Sequence, residues 1–508
     1  MSKLREVDVL VIGGGVNGCG IARDLAGRGL SVVLCEKDDL ASATSSASTK
    51  LIHGGLRYLE QYEFRLVREA LKEREVLLRS APHIIWPMNF ILPHSKQQRP
   101  WWLIRLGLFL YDHLGGRKML PSSKGRFLPG TMLGQPLKAE YKRGFSYADC
   151  WVEDTRLVVL SAMDAREKGA EIFTRTECVN LNRLPKQDMW TATLQNVLTD
   201  EQYRVHARMV VNATGPWVGK TLGLAGSEVG KYKVRWVKGS HLILPRLYQG
   251  DHAYILQNHD GRVVFVIPYE KKYSLVGTTD VEYHDDIEEV RITMEEADYL
   301  CDAVNRYFRH AIKPEDAEWT YSGVRPLVDD GDENASSVTR DYILDMEDFK
   351  GVPILSVYGG KITTFRKLSE HAGELVTKAL GKGGKAWTEK APLPGAEASA
   401  ANFDTFLKTL RREYTWLPEV LAKRLARAYG ARVREILRGA KRVADLGESL
   451  GENVYEAELK YLVENEWALT LEDVLWRRSK LGLHTSEETQ KKMRRVLKKL
   501  TGKKKEAA

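Results

Sequence analysis

The chain has 508 residues, 43% of them hydrophobic, and carries a net charge of +9 at pH 7. This length is too great for one hydrophobic core and predicts roughly two to four domains, while the hydrophobic content is that of a globular protein and excludes a disordered chain. Five cysteines lie far apart with no C-x-x-C pair, so we expect no disulfide framework, no clustered metal site and a reducing, cytosolic compartment.

The N-terminal region alternates strand, glycine turn, helix and strand. VDVLVIGGG predicts a strand and a turn, VNGCGIARDLAGRG a helix, and LSVVLCEK a second strand. The first apolar run is broken by Asp8 and stops at three glycines, so it predicts a strand and not the core of a secretory signal. A βαβ unit with such an apolar first strand predicts a parallel sheet covered on both faces.

A dinucleotide-binding fingerprint lies in this unit. Gly13, Gly15 and Gly18 form G-x-G-x-x-G between the first strand and the helix. These glycines permit a tight turn, close approach of the backbone to pyrophosphate and close helix packing, and the helix N-terminus favours the phosphate charge. Glu36 ends the second strand, where a ribose 2′-hydroxyl needs an acceptor. The fingerprint alone leaves both NAD and FAD open.

Two further glycine turns favour FAD. NATGPW (212–217) and YGGKITT (358–364) would bring segments from most of the chain to one long cofactor, which is a flavoprotein arrangement. Gly359 and Gly360 precede a predicted helix whose N-terminus would stabilise negative charge on the reduced flavin.

Later segments extend the first sheet and add two domains. RMVVNATG and PILSVYGG predict further strands of the parallel sheet. KGSHLILP, YILQNHDGRVVFVIPY and YSLVGTTDVEY lie between them and predict an antiparallel sheet. After APLPGAEASAA the chain is helical and charged. We therefore predict an α/β fold: an FAD-binding Rossmann-like domain with an antiparallel β-sheet substrate domain and a C-terminal α-helical domain.

The sequence resembles the FAD-dependent glycerol-3-phosphate dehydrogenases of the aerobic, respiratory type. The resemblance runs in order, over nearly the whole chain, through segments that include ATSSASTKLIHGGLRYLEQYEF, GLFLYDHLG, NATGPWV, KGSH, GTTDVEY, TYSGVRPL, TRDY, GGKITTFRKL and YEAELKYLVENEWA. It implies noncovalent FAD and oxidation of sn-glycerol 3-phosphate to dihydroxyacetone phosphate, with electrons passed to membrane quinone. It also implies a cytoplasmic enzyme held peripherally at the cytoplasmic face of the inner membrane, and it leaves a homodimer open.

The chain departs from this family in two respects. Its lysines at 503–505 are more basic than the family requires, and it has no long insertion of the kind typical of the peroxide-producing glycerol-phosphate oxidases. The second difference favours quinone over oxygen as the acceptor.

We predict six segments along the chain. They are 1–95, 146–235 and 321–390 for the FAD-binding domain, 96–145 for a cap or membrane-contact segment, 236–320 for the antiparallel substrate domain, and 391–508 for the C-terminal α-helical domain with a basic tail.

Three arginines are candidates for binding the substrate phosphate. A phosphate needs positive, preferably bidentate donors, which arginine supplies. Each arginine alone would more typically form a surface ion pair, but here all three match substrate-facing positions of the family. They are Arg57 in HGGLRYLE, Arg325 in SGVRPL and Arg340 in TRDY, and the neighbouring Tyr58 joins them in the predicted substrate site.

Hydride transfer from C2 of the substrate to flavin N5 requires a base for the hydroxyl proton. A group that titrates near neutrality is expected, and His241 in KGSH is the first candidate. The alternative for His241 is a structural histidine on a strand. Lys361 would polarise the developing oxygen or the flavin, and Arg325 completes the predicted catalytic set.

The segment TSSASTKLIHGGLRYLE (44–60) is predicted to form one surface that passes from cofactor to substrate. His53 within it is interpreted as a noncovalent neighbour of the flavin, with a structural residue or a covalent flavin link as alternatives. The full set of predicted cofactor-binding residues is Gly13, Gly15, Asn17, Gly18, Glu36, Thr44, Ser45, Ser46, Ser48, Lys50, Leu51, His53, Gly54, Gly55, Cys178, Ala213, Gly215, Trp217, Gly323, Gly360, Lys361 and Thr363.

Two stretches favour contact with an anionic membrane surface. RPWWLIRLGLFLYDHLGGRK (99–118) has tryptophans, an apolar run too short to span a bilayer and basic flanks, which is typical of an interfacial helix or of a helix buried between domains. Residues 477–505 hold 12 Lys/Arg and 2 acidic residues, so the net positive charge lies in the tail. This tail would either bind anionic lipid or form a solvated charged helix.

Three rival functions remain open. They are an oxygen-using glycerol-3-phosphate oxidase, an amine or amino-acid oxidase on the same fold, and a flavin-dependent RNA-modifying enzyme that uses the basic tail. An amino-acid oxidase would need only one arginine for its carboxylate substrate, whereas three candidates favour phosphate. No aromatic residue lies between Lys491 and Lys505 to stack on bases, so we expect no nucleic acid as partner.

Overall fold

A computed structural model describes residues 4–59, 62–116, 118–184, 187–226, 231–328, 341–349, 351–397 and 402–506. For Arg57 and for 503–506 it describes only the backbone. The strands within these residues, numbered along the chain, are β1 (Leu4–Ile12), β2 (Val32–Cys35), β3 (Leu51–Ile52), β4 (Ile85–His94), β5 (Lys124–Phe127), β6 (Arg143–Val152), β7 (Glu171–Phe173), β8 (Thr176–Leu184), β9 (Met189–Asn196), β10 (Gln202–Asn212), β11 (Val234–Pro245), β12 (Ala253–Gln257), β13 (Val263–Tyr269), β14 (Tyr273–Gly277), β15 (Val281–Glu282), β16 (Trp319–Val328), β17 (Tyr342–Phe349), β18 (Val352–Gly359), β19 (Ser449–Gly451) and β20 (Val454–Tyr455).

The α-helices before residue 390 pack around two large sheets, and those after it form a separate C-terminal group. In chain order they are α1 (Val16–Gly27), α2 (Phe64–Ser80), α3 (Trp101–Leu114), α4 (Asp154–Glu167), α5 (Val218–Leu224), α6 (Met294–Tyr307), α7 (Phe365–Leu380), α8 (Phe403–Glu413), α9 (Glu419–Tyr429), α10 (Val433–Ile436), α11 (Glu456–Asn465) and α12 (Glu487–Glu506). Of the described helices, none is both long and apolar enough to cross a membrane.

The first sheet has eight strands and a parallel centre. Its order is β17-β18-β10-β1-β2-β7, and the hairpin β8-β9 joins it through β10. Strands β18, β10, β1, β2 and β7 run parallel. Apolar side chains of α1, α4 and α7 cover one face, and those of α5 and the β8-β9 hairpin cover the other. The predicted parallel sheet is confirmed, including the places of RMVVNATG in β10 and PILSVYGG in β18.

The second sheet has ten strands, most of them antiparallel. Its order is β15-β11-β14-β13-β12-β4-β6-β3, with β16 paired to β11 and β5 paired to β6. Within it, β12 and β4 run parallel. The three segments predicted to form an antiparallel sheet pair with one another as β11, β13 and β14, which confirms that part of the fold.

The second sheet recruits strands from segments that were predicted for the FAD-binding domain. β3 and β4 come from 1–95, β6 begins just before 146–235 and continues into it, and β16 ends in 321–390. The sequence placed these boundaries differently because a buried strand has the same apolar pattern in either sheet. The chain therefore crosses several times between the two sheets and leaves a cleft between them.

The C-terminal helices dock on the first sheet through buried ion pairs. Asp39, which follows β2, is 1% exposed. Its carboxylate accepts hydrogen bonds from Arg477 Nε at 2.6 Å and from both terminal nitrogens of Arg478 at 2.7 Å. Arg156 on α4 pairs with Glu466 in the same interface. Asp39 lies three positions after Glu36, so the C-terminal domain holds the segment that carries the predicted ribose acceptor.

Replacing Asp39 with asparagine should destabilise the protein strongly. The change leaves two buried guanidinium groups without their shared carboxylate, and breaking a buried pair costs about 3–5 kcal/mol. Chemical denaturation of the FAD-loaded protein would measure this loss. The matched control is Glu413→Gln, because Glu413 pairs with Arg434 at the surface. An equal loss in the two variants would contradict the importance of the Asp39 contact.

Candidate active site

A cavity of about 570 Å³ lies between the two sheets. One wall follows the carboxyl ends of β1, β2, β10 and β18, and the opposite wall contains Ser322, Gly323 and Arg325 of β16. Ligands of open α/β sheets bind at this edge of the strands. The position of the cavity is therefore that of a nucleotide cofactor and its substrate.

The glycine turn after β1 forms the floor of the cavity. Gly13 has a φ of +113°, and a Cβ atom on it would lie 2.5 Å from the carbonyl oxygen of Ala213. Only glycine fits there without a shift of the backbone. Helix α1 then begins at Val16, whose N–H donates to Ser45 Oγ at 3.0 Å. The N-terminus of α1 thus faces the cavity, where its dipole favours an anion.

Glu36 closes the same end of the cavity. Its carboxylate accepts the N–H groups of Gly14 at 2.6 Å and of Asp38 at 2.9 Å. Burial raises the pKa of the Glu36 carboxyl, while these two donors act in the opposite direction. The two bonds hold the carboxylate beside the glycine turn.

The segment 44–50 lies along the cavity and is fastened at several points. Thr44 Oγ1 donates to the carbonyl oxygen of Val324 at 2.6 Å. Ser48 Oγ donates to Asp154 at 2.8 Å, and Lys50 Nζ donates to both oxygens of Asp154 at 2.7 and 2.8 Å. These bonds join the segment to β16 of the second sheet and to α4 of the first.

Arg325 is held rigidly on the second-sheet wall. Its guanidinium pairs with Asp280 and donates to Thr278 Oγ1 at 3.0 Å and to the Thr279 carbonyl oxygen at 3.1 Å. A Cβ atom on Gly239 would lie 2.0 Å from the Arg325 guanidinium, so the glycine provides the room that this side chain occupies. The site therefore presents a fixed, partly exposed cation.

His241 lies behind the cavity wall and is 1% exposed. Its ring stacks on Tyr321 at 4.5 Å, and its Nε2 lies 3.0 Å from Thr49 Oγ1. Burial, followed by the positive charges of Arg325 and Lys50, lowers the pKa of His241 well below its usual range. This corrects the near-neutral titration expected from the sequence, because the sequence did not reveal how completely the ring is buried.

His53, Tyr58 and Lys361 form a second group of predicted site residues, separate from Arg325 and His241. Lys361 Nζ lies 4.9 Å from the centre of the Tyr58 ring, and Lys361 lines the cavity. Burial and the charges of Lys361 and Arg74 lower the pKa of His53 to about 3. A neutral His53 and a cationic Lys361 therefore lie near each other.

The chain matches known proteins along almost its full length. Residues 8–366 match the family model described as FAD dependent oxidoreductase, and 386–505 match the C-terminal domain of alpha-glycerophosphate oxidase. The aerobic glycerol-3-phosphate dehydrogenase of Escherichia coli is 50% identical over 96% of each chain. D-erythritol 1-phosphate dehydrogenase of Brucella abortus is 52% identical over 96% of this chain and 97% of its own.

The chain belongs to the FAD-dependent glycerol-3-phosphate dehydrogenase family. The solved structure of glycerol-3-phosphate dehydrogenase from Bacillus halodurans, complexed with FAD, covers 97% of this chain and 94% of its own with a TM-score of 0.73 at 26% identity. The predicted cofactor FAD and the predicted three-part fold are thereby confirmed. The cavity also fits FAD chemically: Asn17 Oδ1 is buried in its lining without a hydrogen-bond partner among the described residues, which leaves an acceptor for a ligand.

In this FAD-dependent dehydrogenase, most of the predicted cofactor residues meet at the cavity. Those that line it are Gly13, Gly15, Asn17, Glu36, Thr44, Ser45, Ser46, Ser48, Cys178, Ala213, Gly215, Trp217, Gly323, Gly360 and Lys361, together with Arg325 from the predicted catalytic set. Their individual contacts with FAD stay predictions.

Other predicted cofactor residues lie outside the cavity lining formed by the described residues. Lys50 is among them, because its amine is buried and bonded to Asp154, so a contact between Lys50 and FAD stays a prediction. Gly18 packs on the turn, where a Cβ would lie 1.9 Å from the Gly13 carbonyl oxygen. The others form the layer behind or beside the wall and are Leu51, His53, Gly54, Gly55 and Thr363.

The side chains of two predicted substrate-binding arginines are not among those that the structure describes. Arg340 lies outside the described residues, and only the backbone of Arg57 is described, in a short 3₁₀ helix at Leu56–Leu59. Tyr58 in the same helix lies beside Lys361. Their roles in phosphate binding stay predictions.

Three residues that support the predicted groups were not predicted from the sequence. Thr49 lines the cavity and contacts His241, while Thr278 and Asp280 hold Arg325. The segment GTTDVEY contained the signal for the last two, because it places a carboxylate beside hydroxyl groups at a strand end. Without the fold, nothing linked that segment to Arg325.

Replacing Glu36 with glutamine should weaken FAD binding about tenfold. An amide has one oxygen, so one of the two backbone N–H groups would face its NH₂ group, and a hydrogen bond to a charged acceptor contributes about 1.5–3 kcal/mol. Titration of the apoprotein with FAD, followed by flavin fluorescence, would measure the change. Glu171→Gln is the matched control because Glu171, on β7 of the same sheet, forms a surface pair with Arg5 of β1. Unchanged FAD affinity in Glu36→Gln would contradict its role.

Proposed function

We propose that this protein oxidises sn-glycerol 3-phosphate to dihydroxyacetone phosphate with FAD and passes the electrons to a membrane quinone. The observation that carries the proposal is the fixed guanidinium of Arg325 on the wall of the FAD cavity, close to the buried His241 that it influences. A rigid arginine suits the phosphate. A relative with 50% sequence identity is named for this substrate. Lys361, Tyr58, Arg57 and Arg340 would complete the substrate site.

Thr49 and His241 would transfer the proton that the substrate loses. FAD, when bound, supplies the hydride acceptor. Thr49 lines the cavity, so its hydroxyl would take the proton of the substrate C2 hydroxyl and pass its own proton to His241 Nε2, 3.0 Å away. The neutral state of His241 leaves its ring able to accept that proton.

Substrate binding would itself strengthen this base. Arg325 is one of the two cations that lower the pKa of His241, after the larger effect of burial. A dianionic phosphate at Arg325 offsets that positive charge and would raise the pKa of His241 when the substrate is in place. The base would then be active in the complex and weak in the free enzyme.

A second substrate has a specific argument in its favour. One relative, at 52% identity, is named for D-erythritol 1-phosphate, which also carries a phosphate and a secondary alcohol. Arg325 would bind the phosphate of either compound, so it does not discriminate between them. We favour glycerol 3-phosphate because several relatives at 50–51% identity are named for it.

Helix α3 supports a position at the membrane surface. Its side chains Trp102, Leu106 and Phe109 are 66%, 48% and 50% exposed, while Leu108 and Tyr111 are buried on the opposite side. An exposed aromatic and aliphatic face on a surface helix suits the boundary between lipid headgroups and acyl chains. The basic residues of α12 would add attraction to anionic lipid.

The reaction can be tested by anaerobic reduction of the purified yellow protein. We expect sn-glycerol 3-phosphate to bleach the flavin absorbance and a soluble quinone to restore it, with slower recovery in oxygen. Thr49→Val should slow the limiting rate of bleaching by about 10²-fold, at the low end for lost proton transfer, and Thr49→Ser should retain most of it.

Parallel titrations distinguish the rival functions. Tighter apparent binding and faster reduction with D-erythritol 1-phosphate would replace glycerol 3-phosphate as the substrate. Bleaching by glycine or another amine, without bleaching by either phosphate, would contradict the proposal altogether. Reoxidation by oxygen as fast as by quinone would instead identify an oxidase.

The proposed membrane contact predicts that vesicle binding can be lost while flavin reduction is retained. The triple change Trp102→Ser, Leu106→Ser, Phe109→Ser should abolish most sedimentation with phosphatidylglycerol vesicles, because it removes the exposed apolar face of α3. Anaerobic bleaching by the substrate should stay within twofold of the parent. The control is Val420→Ser, an exposed apolar residue on α9. Equal vesicle binding by the triple variant and the parent would remove α3 from the membrane contact.

A further inference from the structure

The carboxylate of Glu296 lies beneath the part of the second sheet that carries Arg325. Glu296 belongs to the first turn of α6 and is 5% exposed. Its Oε2 accepts the N–H of Thr293 at 3.0 Å and pairs with Lys238 Nζ at 2.8 Å. Thr293 Oγ1 in turn accepts the Glu296 N–H, so the helix cap fixes where the carboxylate points.

The other oxygen of Glu296 holds two hydroxyl groups of the second sheet. Its Oε1 accepts from Thr279 Oγ1 at 2.7 Å and from Ser240 Oγ at 3.0 Å. Thr279 Oγ1 also accepts the N–H of Ser240 at 2.9 Å. Ser240 Oγ lies 2.8 Å from Ser322 Oγ, and Ser322 lines the cavity. One buried carboxylate therefore ties α6 to β11, β16 and the segment after β14.

This network reaches Arg325 through Thr279. The Thr279 carbonyl oxygen accepts from the Arg325 guanidinium at 3.1 Å, and its neighbours Thr278 and Asp280 provide the other contacts of that guanidinium. Moving Thr279 would therefore move all three groups that aim Arg325. The hydroxyl of Thr279 can donate only one hydrogen bond, and that bond goes to Glu296.

We propose that Glu296 is a positioning residue that sets the direction of Arg325 and thereby the affinity for the substrate phosphate. This inference rests on the proposed function, in which Arg325 binds that phosphate. Glutamine in the same place has one acceptor oxygen for four donors and cannot neutralise Lys238. The Thr279 segment would lose its fixed position, while FAD and the groups that move the proton would keep theirs.

The test is stopped-flow reduction of the FAD-loaded full chain by sn-glycerol 3-phosphate under anaerobic conditions. The concentration dependence gives an apparent dissociation constant and a limiting rate separately. Glu296→Gln should raise the dissociation constant about tenfold and leave the limiting rate within twofold. Thr279→Val should reproduce this effect, and Thr279→Ser, which retains the hydroxyl, should restore binding.

A double-mutant cycle with Arg325→Ala tests whether Glu296 acts through Arg325. If it does, Glu296→Gln should weaken binding further by less than twofold once Arg325 is absent. Full additivity of the two effects, or an unchanged dissociation constant in Glu296→Gln alone, would overturn the inference. No loss of binding in Arg325→Ala would instead contradict Arg325 as the phosphate site, and with it both the proposed function of that residue and this inference.

Two further variants separate positioning from loss of stability. Lys238→Met combined with Glu296→Gln removes both members of the buried pair, so it should regain thermal stability but keep the tenfold weaker binding. Recovery of substrate binding together with stability would overturn the inference. The matched control is Glu458→Gln, a 2% exposed carboxylate in the C-terminal domain paired with Arg424. It should lose stability without a change in the apparent dissociation constant.

Discussion

A buried ion pair between Lys50 and Asp154 fixes the segment on which the rest of the site depends. Both side chains are at most 1% exposed, and Lys50 donates to both carboxylate oxygens. Asp154 starts α4, whereas Lys50 directly precedes β3 of the second sheet, so the pair joins the two halves of the molecule. Directly before Lys50, the chain presents small hydroxyl side chains to the cavity and Thr49 to His241. A charge removed from either partner would leave the other buried and unpaired, which is strongly destabilising.

The fingerprint of Gly13, Gly15 and Gly18 with Glu36 was predictable because local geometry dictates it: the turn, the helix start and the acceptor lie within one βαβ unit. The buried ion pair of Lys50 was not predictable, since its partner Asp154 is 104 positions away in the chain. The same limit applied to β4, whose apolar pattern suits either sheet, and to Thr279, whose importance comes from a helix that the sequence places elsewhere. Motifs thus predicted which segments meet at the cavity, whereas the direction of individual side chains depended on partners distant in sequence.

Helix α3 is linked to the site by a short chain of hydrogen bonds. Tyr111, on its buried side, accepts the N–H of Gly54 at 2.8 Å and donates to Asp149, which Arg74 also contacts at 2.5 Å. Gly54 follows His53 in the predicted cofactor segment. The surface that we propose for membrane contact is therefore attached, through one tyrosine, to the segment that is predicted to lie beside the flavin. If α3 binds the membrane surface as proposed, this arrangement would keep the electron donor close to the lipid.

The contact of Asp39 with Arg477 and Arg478 has a consequence for biosynthesis. The two arginines follow Asp39 by 438 and 439 positions. A ribosome therefore releases the glycine fingerprint and Glu36 early, but the guanidinium groups that fasten the adjoining segment emerge only when almost the whole polypeptide has been made. Until then Asp39 remains hydrated and the cofactor segment lacks its outer support. Stable capture of FAD should accordingly be one of the last events in the maturation of the nascent chain, and premature termination within the last domain before Arg477 should yield a colourless product.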